Sequence, residues 1–430
     1  MTTRKPASKN EPIIIVGAGV FGLSTALELT RRGYTKITVL DRYLPPVIDG
    51  SSVDISRVIR VDYADPVYGK MAREAHQGWT GEYASHYYES GFVMLANSPG
   101  SPYIEKSKEV TKSLGQALEE FDDANHVRRK YPAIRSRLDG MKAYVNPQGG
   151  WADAETSIRQ LSAQCSLEGV AFITGARGRV ISLKQIGTRV IGVNVAEGEP
   201  ILAAQVILAT GAWSNRILPV SHATSASGQP VGFIQLTPEE GDRLRGMPVM
   251  INLSTGVFVF PPTTGTNILK VARHGYGYAT HVAVEDSDRF VSSPKRDNSN
   301  VSSSYLPDDA EKGLREGLRQ LVPEFANREW MNRRLCWYSD TPEGDFIIDY
   351  HPAREGVFLA TGGAGHAFKF LPVLGKYIAD CFENKADEEL RKKWRLRAPS
   401  KESANALKDG DGSRAGPPLR ILNRTEQAKL

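Results

Sequence analysis

Residues 13–17 read IIIVG and run into Gly17-Ala18-Gly19-Val20-Phe21-Gly22, then into the helically spaced LSTALELTRRG that ends at Gly33. No other stretch restricts the fold as much. A continuous β-branched run marks a strand buried on both faces, and the spacing predicts a helix from the glycine turn to Gly33. A second strand, KITVLD over 36–41, ends in Asp41. This is a βαβ start with G-x-G-x-x-G in the turn and an acid about 20 residues on, the arrangement that binds a dinucleotide. The glycines permit a tight turn and close approach of backbone to a pyrophosphate, whose charge the helix N-terminus stabilises. Asp41 can accept hydrogen bonds from both hydroxyls of an unphosphorylated adenosine ribose. The motif alone does not choose between NAD and FAD.

Other segments suggest one sheet assembled from across the chain. Residues 149–175 read as a helix and then a strand, 179–217 as a β-meander closing on QVILATGAWS, and 356–382 as strand, Gly-rich turn and helix. Between them, 66–148 reads as helical and polar. Residues 226–324 read as antiparallel strands (VMINL, GVFVFP, NILKVAR), a Ser-rich loop and the helix DAEKGLREGLRQLV. The nucleotide domain is therefore expected at 1–65, 149–225 and 325–399, interrupted by a second domain at 66–148 and 226–324. The Lys/Ser/Gly/Pro-rich tail, 400–430, is expected to lie over the surface or to be partly disordered.

Composition excludes several classes. The net charge of +5 is too small and scattered to argue for nucleic acid, and RKKWRLR at 391–397 reads as a C-terminal element, solvated or packed. Three cysteines far apart make no disulfide framework. The eight histidines are dispersed, with neither H-E-x-x-H nor C-x-x-C, so no metal site is expected. No G-x-S-x-G nucleophile elbow appears. The leader 1–11 precedes an apolar run, like a secretory signal, but glycines interrupt that run and no small-residue cleavage site follows. No window reaches the roughly 18 apolar residues of a spanning helix, so a soluble protein with no membrane partner is expected.

The segments GAGVFG, DISRVIR, GGWADA, ILATGAWS, ILKVARHG, LCWYSDTPEGDFIIDYHP and GHAFKFLPVLG together resemble the FAD-dependent amine oxidases of the sarcosine oxidase type, within the D-amino-acid-oxidase-like group. That family includes the fungal fructosyl amino acid oxidases (amadoriases) and the saccharopine and pipecolate oxidases. The resemblance runs from about residue 12 to 397. It implies an α/β plus α+β fold, with a Rossmann-like FAD-binding domain interrupted by a substrate domain built on an antiparallel sheet. It also implies cofactor contacts at Gly17, Gly19, Val20, Phe21, Gly22, Asp41, Ser51, Arg57, Gly211, Trp213, Gly363, Gly365, His366, Phe368 and Lys369.

The same resemblance places Cys336 where the family joins its sulfur to the flavin 8α-methyl. A thiolate must form for that bond, and Arg333 and Arg334 favour it if they point the same way. Cys165 and Cys381 read as small buried hydrophobes. Lys270 matches the oxygen-activating lysine, and its place inside an apolar strand is out of pattern for a solvent-facing residue. A fixed cation there lowers the barrier for electron transfer to O₂. His274 matches an active-site histidine of the sarcosine-oxidising branch. Arg57 and Arg60, three apart and on one face if helical, match a flavin-facing cation and a substrate-carboxylate ligand. Lys369 matches the second carboxylate ligand. Tyr338 and Trp337 are expected to wall the pocket. The turn TGGAGH, before a helix starting near Leu371, can stabilise negative charge on the flavin.

One departure bears on substrate. The amadoriases carry an acid a few residues after the lysine, whereas here Lys270-Val-Ala-Arg273-His274-Gly has none. Asp54 does resemble that branch's spacing before the flavin-facing cation. The expected reaction is oxidation of an N-methyl or cyclic secondary amino acid to an imine, with O₂ reduced to H₂O₂. Alternatives are a fructosyl amino acid or saccharopine oxidase, an oxidase whose imine closes a ring, and a flavin dehydrogenase using another acceptor. Ala428-Lys429-Leu430 fits a peroxisomal address read by the import receptor, and a monomer is expected.

Overall fold

The computed structural model describes residues 5–284, 287–295, 300, 303–399 and 410–430. The first leader residues, part of the Ser-rich loop and tail residues 400–409 lie outside the described residues. Ile13–Val16 forms a central strand, parallel to Ile37–Leu40 on one side and to Gln205–Leu208 on the other. Ala171–Ile173 and Val357–Thr361 extend the parallel sheet, and Ile347–Tyr350 closes one edge antiparallel. The β-branched run at 13–16 is buried throughout because helices cover the sheet. The helix Val20–Arg31 packs on Leu371–Phe382 so closely that a Cβ on Gly375 would stand 2.2 Å from the Ser24 carbonyl oxygen.

A second, larger sheet is mostly antiparallel and is organised by the eleven-residue strand Ser225–Gln235. That strand pairs with Ile268–Arg273 along one edge and with Asn332–Asp340 along the other. Lys270 lies opposite Phe233, and Cys336 lies opposite Gln229. One strand thus sets the relative positions of two residues that are 66 apart in sequence (336 − 270). The amphipathic helix Asp308–Leu321 covers this sheet, with Gly317 against Val257.

Four expectations are corrected. Residues 66–148 are not simply helical: Phe92–Asn97 and Met141–Asn146 pair antiparallel and join the larger sheet. The short apolar run FVMLA does not distinguish a buried strand from a helix by periodicity alone. Arg57–Ile59 is a strand paired with Gly150–Ala152, so Arg57 and Arg60 do not share a helix face. Residues 332–340, expected with the nucleotide domain, hydrogen-bond into the larger sheet. The described tail does not merely lie on the surface: Arg420–Ile421 adds a strand to Tyr278–Ala279, and Arg414 is buried.

Candidate active site

A cavity opens between the two sheets, holding about 1750 Å³ of empty space with its solvent mouth included. One end is the glycine turn. Gly17 has φ of 109° and would place a Cβ 2.4 Å from the Ala209 carbonyl oxygen, so only glycine fits. A Cβ on Gly19 would stand 2.9 Å from Ser52 Oγ, which accepts the Val20 amide at 2.9 Å. Gly22 is not part of the wall and serves packing instead: its Cβ would fall 1.8 Å from the Gly17 carbonyl oxygen. Asp41 accepts the amides of Ala18 (2.7 Å) and Arg42 (2.6 Å), one per oxygen, and so holds the turn as well as facing the cavity.

These features fit a bound dinucleotide. The helix Val20–Arg31 has no side-chain cap and no acid in its first turn, which leaves its N-terminus to an external anion. Trp213 Nε1 and Arg42 Nη1 are buried without a hydrogen-bond partner, and both residues line the cavity. Val20, Phe21, Ser51, Gly211, Gly363, Gly365, His366, Phe368 and Lys369 also contribute to the walls.

At the other end, Cys336 and Lys270 face the cavity from flanking strands. Arg57 Nη2 donates to Cys336 Sγ at 3.4 Å and to the Ser51 carbonyl oxygen at 2.8 Å. The cation beside the thiol is therefore Arg57, not Arg333, which points the other way and pairs with Glu311. Alternation along a strand puts 334 on the face of 336 and 333 on the opposite face. Cys165 and Cys381 are buried away from this site, and burial pushes both thiols up to about 12.

Asp54 is the hub. Its carboxylate pairs with Lys270 Nζ at 2.9 Å, Arg334 Nη2 at 3.2 Å and Arg57 Nη1. Burial opposes its charge, but Lys270, Arg57 and Arg334 hold it well below the usual carboxylate range. Lys270 also donates to the Ser56 carbonyl oxygen at 2.7 Å and stands 4.7 Å from the Phe260 ring centre. Burial brings Lys270 down to about 7, with Asp54 opposing the drop and Arg57 adding to it.

Tyr338 lies against the turn 361–366, where Gly365 has φ of 77° and a Cβ would come 2.2 Å from the tyrosine ring. Trp337, expected beside it in the wall, is instead buried in the core of the larger sheet, because successive strand residues point to opposite faces. His366 is brought down to about 3 by burial and by Lys369. The neutral ring must donate Nε2–H to the Gly344 carbonyl oxygen at 2.8 Å, so Nδ1 accepts the Tyr63 hydroxyl at 3.1 Å. Lys369 Nζ donates to the His366 carbonyl oxygen at 2.8 Å and sits 5.4 Å from the Tyr63 ring centre. Burial and Arg60 lower its pKa well below the lysine range.

Arg60 and His274 are not among the cavity's walls. Arg60 stacks 4.7 Å from the Tyr63 ring centre and donates Nη2 to the Tyr103 hydroxyl at 2.9 Å, while Nη1 has no partner. His274 is 3.0 Å from Ser413 Oγ and 3.5 Å from the Tyr338 hydroxyl. Sequence reasoning missed what meets it there. Arg414 makes a bidentate ion pair with buried Asp340 and lies 5.7 Å from the Tyr338 ring centre. Asp411 comes in beside it on the same returning segment. A polar, Gly-rich tail has no periodicity to announce such a role.

Comparison with known proteins was made against this geometry. Residues 12–381 match the family model described as FAD dependent oxidoreductase. The L-saccharopine oxidase of Schizosaccharomyces pombe is 35% identical over 91% of this chain and 94% of that protein. The monomeric sarcosine oxidase of an Arthrobacter species is 25% identical over 86% of this chain and 92% of that protein. The crystal structure of fructosamine oxidase (Amadoriase II) from Aspergillus fumigatus superposes with a TM-score of 0.85 at 27% identity, covering 98% of this chain and all of that one.

Proposed function

The chain belongs to the FAD-dependent oxidoreductase family, and from that premise we propose that it oxidises a carboxylate-bearing secondary amine, an N-alkyl or cyclic amino acid, to the imine. FAD when bound would supply the hydride acceptor and the means of reducing O₂ to H₂O₂. The glycine turn, Asp41, Ser51, Gly211, Trp213 and the segment 363–369 would hold it, with a thioether at Cys336 Sγ favoured by the neighbouring Arg57 guanidinium. Residues of the smaller, mostly parallel sheet then form the cofactor part, and most of the larger sheet forms the substrate part.

The observation that carries the reading is the segregation of cations. Lys270 is locked onto Asp54 and the Ser56 carbonyl beside Cys336, where it supports the oxygen step. Lys369, in the cavity wall, and Arg60, against the Tyr63 ring outside it, stand apart from Asp54 with unfilled donor capacity, and an arriving substrate carboxylate favours the charged form of Lys369. Tyr338, against Gly365 and near His274, orients the amine between them. No acid follows Lys270 in its strand to take a sugar, which disfavours fructosyl amino acids within this family.

The test is a peroxide-coupled panel of sarcosine, pipecolate, N-methyl amino acids, saccharopine and fructosyl amino acids, with products identified by mass spectrometry. Peroxide and imine-derived product from the carboxylated secondary amines support the reading. Activity confined to fructosyl amino acids overturns it. A reaction that reduces the flavin but yields no peroxide in air points to another acceptor. The relative of 35% identity oxidises saccharopine by its name, which favours the N-carboxyalkyl members of the class. A monomer in solution and a peroxisomal address at Ala428-Lys429-Leu430 complete the proposal.

A further inference from the structure

The returning stretch of the C-terminal segment is registered against His274. The Ala415 amide donates to the His274 carbonyl oxygen at 3.3 Å, and the His274 amide donates to the Gly256 carbonyl oxygen at 2.8 Å. The approach is tight: a Cβ on Gly256 or on Gly275 would stand 2.9 Å from the Ala415 carbonyl oxygen. The Arg414 guanidinium is buried against Asp340 and also donates to the carbonyl oxygens of Gly275 and Ala364, each at 3.3 Å. A bidentate, fully buried pair has one geometry, so it fixes the residues on either side of Arg414.

That placement completes a row of four side chains. Ser413 Oγ lies 2.5 Å from Asp411 Oδ1 and 3.0 Å from His274 Nε2, and His274 Nδ1 lies 3.5 Å from the Tyr338 hydroxyl. A carboxylate only accepts, so the Ser413 hydroxyl donates to Asp411, and its oxygen accepts Nε2–H. Burial first, and then Arg414, push the His274 ring to its neutral form, with Asp411 opposing. The charged groups around the ring are Arg414 and Asp411 from the tail and Arg60 from the body, with His366 nearby. In the neutral ring Nδ1 is then bare, and the Tyr338 hydroxyl donates to it. Tyr338 alone of the four lines the cavity. At the far end Asp411 is partly exposed, next to exposed Gly412. The row runs from the cavity wall to solvent with every hydrogen pointing outward. Anchoring alone does not call for it: Arg414 holds the tail, and the Ser413 amide already holds Asp411 at 3.0 Å.

We propose that Tyr338, His274, Ser413 and Asp411 form a proton relay that carries to solvent the proton which the bound substrate amine must shed before it is oxidised. The inference rests on the reading of the protein as an oxidase of carboxylate-bearing secondary amines. As the ammonium N–H bond breaks, the Tyr338 oxygen takes that proton and gives its own to His274 Nδ1. Nε2 gives its proton to Ser413 Oγ, and the Ser413 hydroxyl proton passes to Asp411 Oδ1. No electrons change hands. The positive charge leaves the substrate nitrogen, and Asp411 is a neutral acid until solvent takes the proton. A concerted hop forms no imidazolium, the species that burial of His274 disfavours. Return of the ring to the Nε2–H tautomer, which the Ser413–Asp411 pair favours, readies the row for the next turnover. The Tyr338 contact is its long member, and catalytic hydrogen bonds of this kind tighten when substrate fills the site.

The test uses the FAD-loaded full chain and whichever of sarcosine, pipecolate and saccharopine reduces the flavin fastest without oxygen. Stopped-flow absorbance follows reduction and an indicator dye follows proton release, in wild type and in Ser413→Ala. The variant cuts the row but keeps the amide that holds Asp411 and the Arg414 clamp. At neutral pH its limiting rate of reduction should fall by on the order of 10²-fold, with proton release slowed in step and substrate affinity little changed. The deficit should close as pH rises past the pKa of the free substrate amine, which then arrives without its proton. An unchanged rate, or a deficit of the same size at every pH, assigns the row to anchoring and overturns the proposal. Wild type alone gives a second arm that does not depend on the variant folding. In mixtures of H₂O and D₂O, its rate of proton release at neutral pH should vary along a curve, because several protons move together. A linear or absent response overturns the relay. If reduction proceeds without these signatures, this inference fails and the broader reading survives. If none of the three amines reduces the flavin, that reading falls and the relay falls with it.

Discussion

Lys270 carries its amine in a buried site beside Asp54, and in the proposed reaction its charge state would set the pH dependence of the oxygen step. Burial lowers its pKa to about 7, so the ammonium is present below that pH and is lost as pH rises through it. Substrate oxidation has the opposite dependence, because the amine must shed its proton. In stopped-flow experiments, reoxidation should slow with rising pH while anaerobic reduction accelerates. Negative charge gathering beside Lys270 during turnover shifts the first midpoint upward. Lys270→Met should slow reoxidation by on the order of 10²–10³-fold, the usual loss for one preorganised electrostatic group, and abolish its pH dependence. Reoxidation unchanged in rate would assign the role elsewhere. Cys336 faces the cavity with Arg57 Nη2 3.4 Å from its sulfur. Acid precipitation should leave the yellow chromophore with wild-type protein and release it from Cys336→Ala. Colour in the wild-type supernatant excludes the thioether.

At the scale of elements, the strand Ser225–Gln235 and the tail do different work. The strand holds Lys270 and Cys336 in register through backbone pairing, so side-chain changes along it alter packing more than geometry. The stretch of the tail that passes Tyr338 is anchored in the interior by the Arg414 side chain. Arg414→Leu strips the partner from Asp340, which is fully buried, and breaking such a pair by removing one member costs about 3–5 kcal/mol. Urea denaturation should register that loss. Substrate KM should rise further than FAD content falls, because the clamp borders Tyr338 and not the glycine turn. A variant with wild-type KM would mean that the tail merely covers the site. Element type also explains a failed expectation. Arg57 and Arg60 share a face only on a helix, whereas here Arg57 lies in a strand that ends at Ile59 and Arg60 lies just past it, and one reaches Cys336 and the other Tyr103.

At the scale of the whole molecule, the C-terminal segment that carries the proposed address also packs on the body. Leu430 packs against the core of the larger sheet, and Ser303 Oγ donates to the Lys429 carbonyl oxygen at 2.6 Å. The final tripeptide is thus docked on the body, and a receptor that reads it must first lift it. Deleting Ala428-Lys429-Leu430 should move an N-terminally tagged protein from peroxisomes to the cytosol in fluorescence microscopy, with oxidase activity retained. Peroxisomal location unchanged by the deletion would remove the address from the proposal.

Much of this was legible in the chain. The strand–glycine turn–helix of residues 13–33 is local: β-branched residues, three glycines and a helical apolar stripe all specify the same backbone, so the nucleotide cradle follows from neighbours in sequence. The apolar strand around Lys270 marked that lysine as out of place for the same reason. What only the tertiary structure decided depends on contacts between distant segments. Asp54 becomes a hub because the strands bearing Lys270 and Arg334 converge on it, and no spacing encodes that meeting. Arg57, not the adjacent Arg333, accompanies Cys336 because strand alternation and sheet pairing determine which way each side chain points. Arg414 comes up beside Tyr338 from a tail without periodicity, placed by a buried ion pair whose other half lies 74 residues earlier.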